Sequence, residues 1–432
     1  MLSYVSLSTH GLTVDLNDCL RDRAMMLMTL LFVVAMAKAC GYLLHRIGQP
    51  QVVGEMIAGF LIGPVVLGQL FPGLQAALFD PDDTAQLRAL SEFGLLLFMF
   101  VIGAEFRFPA GERLGGVKAS VVGVFSIALP FLLGAALAPW LYARFAPPSV
   151  SLLAFTLFIG TVCSVTAFPV LARILKEHGL LASQEGAVAM LAAAMSDVGA
   201  WLLLALVAMV HSNDGNLPLL AARVAGLLVL VAFSLLVLRP ALARWLAGRS
   251  GYGQPQVLLG LLAGVMVYGS LTHWLQVHAV FGAFLFGLCL PRDEHLLQMI
   301  IERLEHLALM VFMPCFFALA GLSTVPGAFA ETGLGALALV LLVAVVGKVA
   351  GSALGARLVR YPWRTSLRIG VLMNTRGLME LVVLKIGLDL GLISAQLFTL
   401  LIVMTIVTTL MTGPLLTLLS RRQPALLALQ QP

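Results

Sequence analysis

Charge is what this sequence has least of. Of its 432 residues only 11% are Asp, Glu, Lys or Arg, while 60% are hydrophobic, and the mean hydropathy is +1.01. A soluble domain carries roughly a quarter of its residues as charges, so an ordinary water-soluble fold is excluded. Cysteine is scarce as well. Cys40, Cys163, Cys289 and Cys315 fall inside apolar stretches and Cys19 stands alone before the first, which leaves neither a disulfide framework nor metal-ligand spacing. No Walker-type phosphate loop, HExxH pair or GxSxG elbow occurs, so nothing points to an enzyme or to ATP as an energy source, and no cofactor is expected. The N-terminus also lacks a basic start followed by an apolar core and a small-residue cleavage site. Residues 1–23, with Asp15, Asp18, Arg21, Asp22 and Arg23, are expected to remain as an external segment.

What the chain has in abundance is apolar runs of membrane-spanning length, roughly 20 residues. They lie near 24–45, 50–68, 87–106, 117–142, 149–174, 184–210, 217–238, 256–276, 278–290, 304–322, 332–357, 365–390 and 395–419. The predicted fold class is therefore an all-α polytopic membrane protein with about 13 transmembrane helices. The ninth run is short and close to the eighth, so twelve is the alternative count, but charge favours thirteen. With the N-terminus outside, seventeen Lys and Arg fall on the inner side and five on the outer, the positive-inside bias of a membrane protein. The formal net charge of +5 thus reflects topology and not nucleic-acid binding. Residues 420–432 are then a short cytoplasmic tail, and a bacterial inner membrane is the expected location.

Two runs carry polar residues at membrane depth. The fifth reads FIGTVCSVTAFPVLARI, with Thr161, Ser164 and Thr166 before Pro169, which supplies no N–H to a helix. The twelfth reads IGVLMNTRGLMELVVLKIG, with Asn374, Thr375, Arg376 and Gly377 in its middle. Irregular backbone is tolerated there only where it is buried in protein or lines a cavity, and paired broken helices point to a transporter site. Seven runs apart, the two run in opposite directions, which is the arithmetic of an inverted repeat. Spans four to six then match eleven to thirteen as a core, about 111–250 and 330–419. The remaining spans, about 24–110 and 256–325, form a panel rich in close-packing glycines such as Gly54, Gly59, Gly63, Gly282 and Gly287.

Asp197, in LAAAMSDVGAWLLLA, is the acid nearest the centre of a span. Placing an Asp there costs roughly 2.5–3.5 kcal/mol on insertion scales, so such a residue usually faces a cavity and works; the bland reading is a fixed partner pinning two helices. The intramembrane bases are Lys38, Lys348, Arg376 and Lys385. Lys348 falls in the same bundle as Asp197, where the two would attract strongly, unless Lys348 snorkels to the inner edge. Arg376 and Glu380, four apart, can share a helix face and serve either transport or the stitching of the broken helix. Ser196, Thr161, Ser164 and Thr166 could offer oxygens to a hard cation, or only satisfy helix backbone. His273 and His278 read as interfacial, and Glu55 and Glu105 as architectural.

Five strings, GEMIAGFLIGPVVLG, FGLLLFMFVIGAEF, SVTAFPVLARILKE, AAAMSDVGAW and MNTRGLMELVVLKIG, together resemble the monovalent cation:proton antiporter superfamily, specifically its second family. That family includes sodium/proton and potassium/proton exchangers and glutathione-gated potassium effluxers. The resemblance implies a homodimer with a dimerisation panel and a moving core in which two broken helices cross. It implies that Asp197 alternately holds a proton and a sodium or potassium ion. Thr161, Ser164 and Thr166 map onto the first crossing, Asn374, Thr375 and Gly377 onto the second, and Lys348 onto the basic residue of the core.

Three departures refine it. Relatives commonly place Asp, Asn or Gln before the transport acid, where this chain has Ser196, and some sodium exchangers place an acid where this chain has Val165. Members with two adjacent acids tend to be electrogenic, so one acid implies exchange of one cation for one proton. The chain also lacks the appended nucleotide-binding domain of the potassium effluxers, which implies no gating through such a domain. The alternatives are a cation channel or ion-responsive sensor on the same scaffold, and a transporter of small organic ions.

Overall fold

The computed structural model describes residues 16–105, 113–180, 183–212, 216–247, 255–291, 293–330 and 333–420. The expectations for residues 1–15 and 421–432 lie outside them. Every regular element among the described residues is a helix. In order the α-helices are α1 (Leu16–Arg46), α2 (Gln51–Ile62), α3 (Leu67–Leu70), α4 (Pro72–Leu78), α5 (Pro81–Glu105), α6 (Arg113–Phe145), α7 (Leu152–Ser164), α8 (Phe168–Glu177) and α9 (Gln184–His211). There follow α10 (Leu217–Phe233), α11 (Arg239–Ala247), α12 (Pro255–Trp274), α13 (Ala279–Leu288), α14 (Glu294–Ile300), α15 (Met313–Leu322), α16 (Gly333–Leu358), α17 (Trp363–Met373), α18 (Leu378–Asp389) and α19 (Ala395–Ser420).

Local sequence sets several of these boundaries. Ser151, Ser183 and Asn216 cap α7, α9 and α10 by accepting the backbone N–H of Ala154, Gly186 and Leu219, which satisfies donors that a helix start leaves orphaned. The first helix begins at Leu16, so part of the expected external segment continues into α1.

Among the described residues, eleven helical stretches, several of them built of consecutive segments such as α7 and α8, are long and apolar enough to cross a membrane. Two of the thirteen runs seen in the sequence fall short of that standard. The ninth is α13, with 10 residues, and the twelfth is divided into α17 and α18 of 11 and 12 residues.

The helices pack in two groups. In one, α1 lies on α2 and α12 on α13, while α2 packs against α15 and α13 against α5. These contacts are backbone to backbone, and glycine makes them possible. A Cβ at Gly54 would lie 2.4 Å from the Cys40 carbonyl oxygen, and one at Gly282 would lie 2.2 Å from that of Tyr268. Five residues on in each helix, a Cβ at Gly59 would meet the Phe317 oxygen at 2.2 Å and one at Gly287 the Phe100 oxygen at 2.3 Å. The same spacing thus performs the same two contacts twice.

In the other group α6 packs on α7, α9 and α16, and α16 on α17 and α19. Its centre holds polar side chains that are fully buried: Thr161, Thr166, Ser196, Lys348, Asn374, Thr375, Arg376 and Glu380 are all 0% exposed. Buried polar groups persist only when hydrogen-bonded, so the local question is where their bonds go.

Candidate ion-binding site at two interrupted helices

The fifth span is interrupted between Ser164 and Phe168, where Val165 and Ala167 are extended. Pro169 stands in the first turn of α8, a position where a missing N–H costs nothing. The twelfth is interrupted between Met373 and Leu378. Gly377 there has φ +158°, and a Cβ would lie 2.8 Å from Val170 Cγ2, so this turn needs glycine for its dihedral and for its space. The two interruptions touch directly. Ala167 N–H donates to Thr375 O at 3.0 Å, and Thr166 Oγ1 donates to Met373 O at 3.3 Å.

Breaking a helix exposes carbonyls at one end and N–H groups at the other, with partial negative and positive charge respectively. Cationic side chains cover the carbonyl end of α7. Arg376 donates through Nη1 to Val162 O at 2.8 Å and through Nη2 to Cys163 O at 2.7 Å, and Lys348 Nζ donates to Ser164 O at 2.5 Å. Carboxylates face the opposite ends. Glu380 sits in the first turn of α18 and forms a buried ion pair with Arg376. Asp197, from α9, accepts the backbone N–H of Phe168 at the start of α8.

Asp197 is 2% exposed, and its Oδ1 has no hydrogen-bond partner among the described residues. Ser196 Oγ beside it donates to Ser164 O at 3.3 Å. The direct attraction expected between Asp197 and Lys348 does not close into an ion pair. Lys348 is not at the inner edge either: it is fully buried, donating to Ser164 O, to Thr166 Oγ1 at 2.5 Å and to Ser126 Oγ at 3.3 Å. The Ser164 carbonyl, shared by Lys348 and Ser196, is the link between the base and the Asp197 segment.

The remaining residues named from the sequence separate into two kinds. Thr161 donates to Leu157 O at 2.7 Å, Ser164 to Thr161 O at 2.8 Å and Thr375 to Leu372 O at 2.7 Å, so these hydroxyl protons satisfy local backbone while lone pairs remain. Asn374 Nδ2 donates to Thr408 O at 3.2 Å, and its Oδ1 is without a partner among the described residues. Lys38 pairs with Glu55 at 2.7 Å and Lys385 pairs with Asp389. Lys348 is therefore the one of the four intramembrane bases without a carboxylate of its own among the described residues.

Sequence reading misses two contributors. Ser126 carries no pattern that singles it out. The threonines of α19 do: Thr405, Thr408, Thr409 and Thr412 recur at the spacing of one helix face and are all 0% exposed. Thr409 Oγ1 donates to Arg376 O at 2.8 Å and lies 3.3 Å from Arg376 N, so this stripe holds the second interruption.

Towards the His211 end of α9, His278 caps α13, its Nδ1 accepting Val280 N–H at 3.4 Å.

Against this geometry, the sequence profile described as "Sodium/hydrogen exchanger, transmembrane" matches residues 30–422. The chain belongs to the sodium/hydrogen exchanger family. Such exchangers are transporters, not enzymes, and the antiporter resemblance of the five strings holds. The exchanger is 35% identical over 396 residues to Na(+)/H(+) antiporter NhaS4 of Synechocystis sp., covering 90% of this chain and 96% of that one. It is 36% identical to Cation/H(+) antiporter 19 of Arabidopsis thaliana and 33% identical to K(+)/H(+) antiporter 1 of Saccharomyces cerevisiae. Those matches cover 91% and 85% of this chain but 49% and 43% of the relatives, so the exchanger spans about half the length of each. Among solved structures, the sodium proton antiporter MjNhaP1 from Methanocaldococcus jannaschii aligns with a TM-score of 0.65 at 14% identity, over 93% of this chain and 99% of that one. At that identity the likeness speaks for the fold.

Proposed function

We propose that the exchanger is a secondary antiporter of a monovalent cation, sodium or potassium, against protons, with Asp197 as the seat that the two share. The observation that carries this reading is the free Oδ1 of a buried carboxylate, held at the positive end of a half-helix. An uncompensated carboxylate in a low-dielectric interior is costly, and either a proton or a cation relieves that cost. Occupancy by one excludes the other, which is the requirement for antiport. The Thr166 oxygen and the Ser164 carbonyl stand on the interrupted segment, the Ser196 oxygen stands beside Asp197 on α9, and all three are of the hard-oxygen type that alkali ions prefer.

With Ser196 unable to ionise, one carboxylate exchanges one charge for one charge, and net transport is electroneutral. The core around the two interruptions moves against the glycine-packed panel in an elevator cycle, and the panel serves as the dimer interface. The N-terminus lies outside, and the protein works in a bacterial inner membrane.

In proteoliposomes carrying an internal pH dye, sodium or potassium should dissipate a preformed proton gradient. Asp197→Asn, of nearly equal volume and unable to ionise, should abolish that exchange, and unchanged exchange in this variant would sink the reading. Clamping the membrane potential with valinomycin should leave the rate unaltered if exchange is one for one.

A further inference from the structure

One turn beyond Asp197 on the same helix stands Trp201, 2% exposed and among the largest fully buried side chains of the molecule. Its ring stacks on Phe284 of α13, with centroids 6.4 Å apart and planes at 25°. Its Nε1 has no hydrogen-bond partner among the described residues. A buried indole normally finds an acceptor for its N–H; this one instead has its ring stacked on Phe284. On the side of the ring away from Asp197 lies a small cavity of about 10 Å³, the room of roughly one water molecule.

The cavity continues the Asp197 face of α9. Leu204, Ala205 and Ala208 line it, and positions 197, 201, 204, 205 and 208 follow helical spacing along one side. Opposite them stand Phe281 and His278. Asp197, Trp201 and the cavity are thus stacked in that order toward the His211 end of α9, which the distribution of basic residues assigns to the outside. The stack also joins the two helix groups, because α9 packs with the core and α13 with the panel. Phe284 is anchored on the panel side by a close backbone contact, its carbonyl oxygen lying 2.2 Å from where a Cβ of Gly103 would be.

We propose that the Trp201–Phe284 stack is the external gate of the exchanger, closing the route from the His278 cavity to Asp197. Sliding the core relative to the panel separates the two rings, since each belongs to a different group. The indole N–H, unpartnered in the closed arrangement, then becomes a donor facing the opened route. Trp201 is a positioning residue, since it controls access and does not hold the transported ion. The inference rests on reading Asp197 as the transport site, but access and transport are read by separate measurements.

The test places a thiol below the gate. Asp197→Cys is reacted with a membrane-impermeant maleimide in vesicles of each orientation, with labelling of the parent chain subtracted. Adding Trp201→Ala should speed labelling from the outer face about tenfold and leave the inner-face rate unchanged, whereas Trp201→Phe, which keeps a ring on Phe284, should stay near the Asp197→Cys rate. Phe284→Ala opens the same contact from the panel and should reproduce the effect, which keeps the test valid if Trp201→Ala fails to fold. An unchanged outer rate in the folded variants overturns the gate, and so does equal acceleration on both faces, which would mean general loosening. Failure of the transport reading shows separately, as normal exchange by Asp197→Asn.

Discussion

At the first interruption the ionisable side chains, Asp197 and Lys348, each reach for neutral groups. At the second, Arg376 and Glu380 reach for each other. The two sites are built from the same parts: a half-helix carbonyl end, a half-helix N–H end, an acid and a base. They differ in whether the acid and base pair. A closed ion pair has no charge left to trade, so the second interruption suits a fixed strut. Its acid and guanidinium cover the N-terminus of α18 and the carbonyls of α7 together. The first keeps its acid with one free oxygen and its base on a carbonyl and hydroxyls, so protonation or ion binding at Asp197 breaks no ion pair.

That comparison can be broken by substitution. Arg376→Leu leaves Glu380 buried without a counter-charge and two α7 carbonyls without donors, and should lower stability by about 3–5 kcal/mol. The detergent melting temperature reads this, and Arg376→Leu combined with Glu380→Leu should recover part of the loss. If the single variant melts as the parent does, the strut reading is wrong. Lys348→Met removes donors from Ser164 O and Thr166 Oγ1 without orphaning a carboxylate partner, and should cost less, about 1–3 kcal/mol. A loss larger than that of Arg376→Leu would reverse the assignment of strut and working site.

The smallest expected effect lies away from both interruptions. His278→Ala removes the ring nitrogen that accepts Val280 N–H at the start of α13 and should cost about 1 kcal/mol, whereas His278→Asn, which keeps a capping oxygen, should cost less. A melting temperature of the alanine variant equal to that of the parent counts against the cap.

Both interruptions were legible in the chain because polar residues at membrane depth demand an explanation, and Pro169 and Gly377 mark where the backbone turns. Counting runs alone predicts that the two broken spans run in opposite directions. Partner choice was not legible. Lys348 and Asp197 are the natural pair on charge, yet which carbonyl a buried ammonium reaches depends on how α16 approaches α7, and that is a matter of packing. Ser126 shows the same limit, being one serine in an apolar helix until Lys348 lies beside it. The α19 threonines were readable from their spacing, but hydroxyls that bond back to their own helix look alike in sequence whether or not a neighbour also uses them.

The paired glycines of α2 and α13 have a consequence for time as much as for shape. Helices that meet backbone on backbone have no side-chain rotamers at the contact, so they have little internal disorder to gain on warming or to lose on docking. The panel should hence keep its amide protons in deuterated buffer long after the half-helices at the interruptions have exchanged theirs. Its slow clock and the fast clock of the broken helices belong to one molecule.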